Sequence, residues 1–368
     1  MRRNKMQKKP LFTFLVLILI LALALLYFVS GRPALQGLFQ SGEYGASLEL
    51  DTSFVYAAQK YTGGVAVFGK EGIVGISNLG KQVWEVDFPV TDPILSCSGG
   101  YVLAAERGGQ TLRLLSGGKV RQEMEMENDI ISASVNRKGT FAVVTKERGY
   151  KGCVQVFSKR GKPLFKWHSA EQNILSAVVS EDNKKLAVSV VNMTDLSRMC
   201  TVLQFDMRET SPQVLEVGNE NLVANLQYNG NELICIGDEA LYCFKNNGTE
   251  KFHMDYAGRK LQMYSFYPGS LLTLGFWSGE QDGGSVVEFY DTNGRKRGGH
   301  TVYGALAGLD IYGKFAVVTT AEEIMVLGAN GKVKLQKEEE HGMQKAFLCG
   351  NRNRVFLLSG NLGSMYIF

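Results

Sequence analysis

The 368-residue chain has 40 Lys and Arg against 36 Asp and Glu, and 45% of it is hydrophobic, ample for a large core. Five of the basic residues fall in the first nine positions, leaving 35 against 36 elsewhere, so the remainder lacks the basic footprint of a nucleic-acid binder. Glycine, at 42 residues, is about 11% of the chain against a usual value of roughly 7%, while 7 prolines exclude a low-complexity linker as its source.

The N-terminus reads as a membrane anchor. Residues 1–10 carry Arg2, Arg3, Lys5, Lys8 and Lys9 with no acid. Leu11–Val29 follows with no charge and Thr13 as its polar member, long enough to span a bilayer at about 1.5 Å per helical residue. Positive flanks stay on the cytoplasmic side, which predicts an N-terminus inside and the rest of the chain outside. Tyr27 and Phe28 fall at the far interface, where aromatic rings are favoured. A cleaved secretory signal would have a shorter apolar stretch and a small-x-small site; Val29-Ser30-Gly31-Arg32-Pro33 is a poor one. Residues 30–45 read as a tether.

From residue 46 to residue 368 the chain repeats. Eight short β-type runs end at one recurring slot: Gly72–Ser77, Thr111–Leu115, Cys153–Phe157, Thr201–Phe205, Ala240–Phe244, Ser285–Tyr290, Glu322–Leu327 and Ser364–Phe368. A turn glycine follows at Gly80, Gly118, Gly161, Gly248, Gly294 and Gly331, at gaps of 38, 43, 87, 46 and 37 residues. The gap of 87 is two steps, with Arg208-Glu209-Thr210-Ser211-Pro212 making the intervening turn without glycine. A period of about 42 residues with four short strands per unit predicts an all-β fold, an eight-bladed β-propeller; seven blades is the alternative count.

In each unit a first run lines the centre. The second is the most apolar, as Ala142-Val143-Val144 and Val355-Phe356-Leu357-Leu358 illustrate, and implies burial on both faces. The fourth is polar, as an outer edge should be. Only seven fourth runs exist. Ala46–Leu50, ahead of the first unit, is therefore expected to pair beside Ser364–Phe368 and close the ring.

The segments Asn78-Leu79-Gly80-Lys81-Gln82-Val83-Trp84 and Lys159-Arg160-Gly161-Lys162-Pro163-Leu164-Phe165-Lys166-Trp167 resemble the turn-then-aromatic motif of quinoprotein-type and WD40-like propellers. The layout of basic tail, single helix and outer propeller also resembles uncharacterised membrane-anchored propellers of Gram-positive anaerobes. The quinoprotein likeness would imply a quinone, a calcium site and a vicinal disulfide. The chain has no vicinal cysteine pair and no repeating acidic cluster, so no cofactor is expected.

The six cysteines are spread over different repeats without a CxxC, and read as free thiols inside strands. Cys235 and Cys243, flanking one hairpin, are the local pair worth testing. His168, His253, His300 and His341 fall near the ends of fourth runs in different units, as edge residues too far apart to share a metal. No nucleophile elbow, HExxH or P-loop is present.

Loop length points to one face. The connection from second to third strand is tight in most units but expanded at Asn192–Met199 and Gly275–Gly284; Lys146–Lys151 is intermediate. These loops offer Asp195, Arg198, Trp277, Glu280 and Asp282, and Trp and Arg are typical anchors of binding hot spots. The function expected is a non-catalytic, membrane-anchored scaffold that recognises an envelope protein, or a cell-wall glycan or peptide. The alternative is an envelope hydrolase or lyase with carboxylate catalysis by Asp195, Glu280 or Asp282.

Overall fold

A computed structural model describes residues 42–49, 55–192, 200–209, 211–267, 269, 271–279, 283–338, 345–350, 354–360 and 362–367. The residues expected to form the anchor lie outside these. Among the described residues no helix is long and apolar enough to cross a membrane.

The architecture is an eight-bladed β-propeller, which settles the blade count against seven. Eight four-stranded antiparallel sheets follow one another along the chain. Blade one runs Val55–Tyr61, Gly64–Gly69, Gly72–Ser77 and Gln82–Asp87 from the axis outward. Blade three runs Ile130–Val135, Phe141–Thr145, Gly152–Phe157 and Pro163–Ser169; blade six runs Leu261–Tyr267, Leu271–Trp277, Gly284–Asp291 and Lys296–Tyr303. Second strands are the most buried, with all five residues of Phe141–Thr145 inaccessible. Fourth strands alternate exposed and half-buried residues, as in Gln82–Asp87.

Blade eight joins the two ends of the described chain. Lys345–Leu348, Arg354–Ser359 and Leu362–Ile367 are its inner strands, and Gly42–Glu49 is its outer one. Glu49 pairs with Leu362 and Gly42 with Ile367, with a bulge between Tyr44 and Ser47. Residues 42–45, which the sequence reads as tether, therefore belong to this strand. The bulge breaks the alternation by which a strand is recognised in sequence.

The core is distributed rather than central. Each of eight apolar clusters fills the space between two successive blades. Trp167, for instance, packs on Phe205 of blade four with ring centroids 5.1 Å apart. At about 25 cal/mol per Å² of apolar area, these interfaces carry most of the stabilisation.

The same interfaces explain the recurring glycine. Gly118, in the outer turn of blade two, has φ +72°, and a Cβ there would lie 2.5 Å from the Trp84 ring of blade one. Gly294 meets Phe252 of blade five in the same way, at 2.6 Å. Left-handed backbone and a side chain from the preceding blade together require glycine. In blade four the turn after Cys200–Asp206 uses a different device: the Asp206 carboxylate accepts hydrogen bonds from the Arg208 backbone N–H at 3.1 Å and its Nε at 3.2 Å.

All six cysteines are free. Cys235 and Cys243 sit on opposite faces of blade five, because Cys243 faces Ile234 and Cys235 faces Tyr242 across the ladder. Side chains one register step apart point to opposite sides of a sheet, so this pair cannot bridge.

Candidate functional site

By strand order, the connections from second to third strands open on the face that also carries the links from one blade to the next. Asp195, Arg198, Glu280 and Asp282 fall outside the described residues. Trp277 is described, and it changes the reading of its loop. The second strand of blade six continues through Trp277, so the connection is 278–283 rather than 275–284. Gly275 is paired with Val287 and buried against Leu306, and the hydrophobic alternation simply runs past it.

The base of this loop is pinned. The Ser278 N–H and hydroxyl donate to the Gly284 carbonyl at 3.0 and 2.7 Å, and the Gly283 N–H donates to the Gly279 carbonyl at 3.2 Å. Trp277 itself is half-buried at the strand end. Opposite Gly284 stands Tyr303, the last residue of the outer strand, with 81% of its surface exposed. Sequence reading passed over Tyr303, which looks like the end of a polar edge strand.

Tyr303 forms one wall of an open groove of about 730 Å³ between blades six and seven. The other wall comes from blade seven: Thr320–Glu323 of its tight turn, and Gln336 and Glu338 of its outer strand. The turn is local chemistry, since the Thr320 hydroxyl accepts the N–H groups of Glu322 and Glu323, each at 3.3 Å. Glu323 Oε2 accepts from Gln336 Nε2 at 2.8 Å, while its Oε1 is buried with no partner. The described groove thus sets one exposed aromatic ring beside three carboxylates.

The axial cavity is of another character. It encloses about 320 Å³ and is lined by neutral polar side chains such as Gln59, Ser96, Ser134, Gln227 and Tyr264. Glu181 is the one carboxylate among its described lining, and burial raises its pKa although it accepts the Arg137 N–H at 3.2 Å.

Two charged clusters escaped sequence reading. Glu288 of blade six is nearly inaccessible, yet it binds Arg259 Nη1 at 3.0 Å, the Tyr290 hydroxyl at 2.6 Å and the Lys296 ammonium. Burial works to raise its pKa, but these donors outweigh burial and hold it below the ordinary carboxylate value. Tyr290 is pushed up to about 12, by burial first and then by Glu288. The second cluster gathers around one of the edge histidines and draws its other members from the same blade. His168 is half-buried, and Glu147 and Cys153 converge on it within 4.8 Å. His253 is exposed and pairs with Glu250 at 2.8 Å; His300 is half-buried, and His341 lies outside the described residues.

The fold and its closure define the class: an eight-bladed β-propeller. BamB from Moraxella catarrhalis is similar over 89% of this chain and 97% of its own, at 14% identity and a TM-score of 0.58. Sqt1 of Saccharomyces cerevisiae matches at 14% identity and a TM-score of 0.62, covering 89% of this chain and 100% of its own. The computationally designed protein Ika8 gives 13% identity and a TM-score of 0.65 over the same shares. At these identities the likeness is one of fold. No curated protein matches the sequence. The chain belongs to a family of unknown function, DUF5711, whose model matches residues 38–363.

Proposed function

We propose that this chain is a membrane-anchored binding module that displays its propeller outside the cytoplasm. It docks a basic, Lys- or Arg-bearing segment of an envelope protein in the groove between blades six and seven. The observation that carries this reading is the groove itself: Tyr303 is 81% exposed beside Glu322, Glu323 and Glu338. An exposed aromatic ring attracts a cation by about 0.5–1 kcal/mol, and carboxylates on one wall add direction and specificity. The basic tail and Leu11–Val29 support the orientation, and Ser278 and Gly284, which bound the blade-six connection, stand at the same rim as Tyr303. Anchoring raises the effective concentration toward membrane-proximal partners.

The test is crosslinking of the full-length protein in native membranes, followed by mass spectrometry, with Tyr303→Ala and a Glu322→Gln/Glu323→Gln double variant in parallel. Reproducible crosslinks from the groove to basic segments of one envelope protein, lost in both variants, are the expected result. Crosslinks unaffected by either variant would move the docking surface elsewhere. An absence of protein crosslinks, with retention on isolated cell wall, would assign the face to a glycan or peptide of the wall.

A further inference from the structure

Outside that groove, blade three brings together a donor set that a propeller has no packing need for. Thr145, Cys153 and His168 are successive cross-strand partners on the second, third and fourth strands. Directly opposed residues share a face, so their side chains stand in one row. Cys153 is fully buried in the middle of that row, and His168 is half-buried at its outer end. Glu147 comes from the connection between the second and third strands and turns back over the row. Its Oε2 lies 3.7 Å from His168 Nε2.

The connection is held in place. The Lys151 N–H donates to the Ser169 carbonyl at 2.8 Å and the Tyr150 N–H to the Glu147 carbonyl at 3.2 Å. The Tyr150 ring stacks on His168 with centroids 4.6 Å apart, which fixes the plane of the imidazole. One donor atom each from Glu147, Cys153 and His168 lies within 4.8 Å of the other two. Ligands at about 2.0–2.3 Å from a tetrahedral ion are separated by about 3.3–3.8 Å, so small side-chain rotations close the set. An ordinary ion pair would account for Glu147 and His168. It has no use for a buried thiol as the third donor on the same face.

We infer that Glu147, Cys153 and His168 form a binding site for a zinc-class divalent transition metal. A thiolate and an imidazole select zinc, cobalt or nickel over magnesium and calcium, whose preferred donors are all oxygen. Three protein donors leave a fourth position for water or for a side chain of a bound partner. The ion would tie the loop 146–151 to the outer strand of blade three. A thiol binds such an ion as the thiolate, so metal uptake releases its proton and the affinity rises with pH.

The experiment uses the full-length protein in detergent, stripped of metal and titrated with zinc against a chromophoric chelator. Cobalt(II) serves as the spectroscopic probe. Expected are one zinc per chain, little competition from magnesium or calcium, and a thiolate-to-cobalt charge-transfer band with tetrahedral ligand-field bands. Both signals should be lost in Cys153→Ala and in His168→Gln, with the fold checked by circular dichroism. Should Cys153→Ala fail to fold, His168→Gln carries the test, because its side chain is partly exposed. Failure of the wild type to take up stoichiometric zinc, or uptake that survives in His168→Gln, would overturn the assignment.

Discussion

The Lys60 ammonium of blade one lies 2.7 Å from the Asp310 carboxylate of blade seven, although blade eight separates those two blades in the order of the ring. Lys60 also donates to the Ile311 carbonyl at 2.8 Å, and Asp310 accepts the Leu348 N–H of blade eight at 2.8 Å. Three blades are thus joined by one buried carboxylate at the place where the ring closes.

Burial raises the Asp310 pKa more than Lys60 and the backbone donors lower it. A folded value above the unfolded one gives a contribution that is complete below about pH 3.9 and is lost as pH rises through the folded value. Asp310→Asn keeps the shape and an acceptor for Leu348, so its stability relative to the wild type should improve as pH rises through that window. Asp310→Ala strands a cation and a backbone N–H, and should cost about 3 kcal/mol. Urea denaturation of the three proteins from pH 4 to pH 8 checks both expectations.

Glu288 behaves in the opposite sense. Its folded pKa is depressed, so its contribution is present above about pH 4.3 and lost as pH falls through the folded value. Arg259 and Lys296 are 39% and 53% exposed and can regain water, which limits the cost of Glu288→Gln to about 1–2 kcal/mol at neutral pH. The gap between the variant and the wild type should shrink on acidification. A gap that stays constant down to pH 3 would show that Glu288 acts through shape rather than charge.

Gly118→Ala tests the interlock between blades. The new methyl would meet the Trp84 ring at 2.5 Å in a left-handed backbone, and Trp84 is itself tied by its Nε1–H to the Tyr61 hydroxyl at 3.0 Å. A loss of about 2–3 kcal/mol is expected, as for other overpacked sites. Trp84→Leu combined with Gly118→Ala should recover part of it. If the double variant is merely the sum of the singles, the contact is not what requires glycine.

The sequence displays whatever repeats locally and little of what converges. The turn glycines and the aromatic residues after them stand at a fixed spacing because each blade meets its predecessor in the same way, as Trp84 meets Gly118. The blade count followed from that spacing. Trp277 was visible as an aromatic beside a long connection, but its strand hid the loop boundary, because Gly275 reads as a turn residue when it is a packing residue under Leu306. Glu147, Cys153 and His168 are brought together by the register of three strands, and register is not written in any one of them. Lys60 and Asp310 lie 250 positions apart and meet only because the ring is complete. Glu288 likewise depends on Arg259, which the chain supplies from the link between blades five and six.

The outer strand of blade eight has a consequence for how the molecule is made. Gly42–Glu49 is among the first propeller segments to leave the ribosome, but its partner Leu362–Ile367 emerges only after the other seven blades. Until then the early strand offers an unpaired edge, a state that invites association with other chains. An anchor upstream of it would hold that edge beside the membrane throughout synthesis, away from neighbouring nascent chains. Any truncation that removes residues 362–367 should leave two strands unpaired rather than one, and proteolytic clearance should follow.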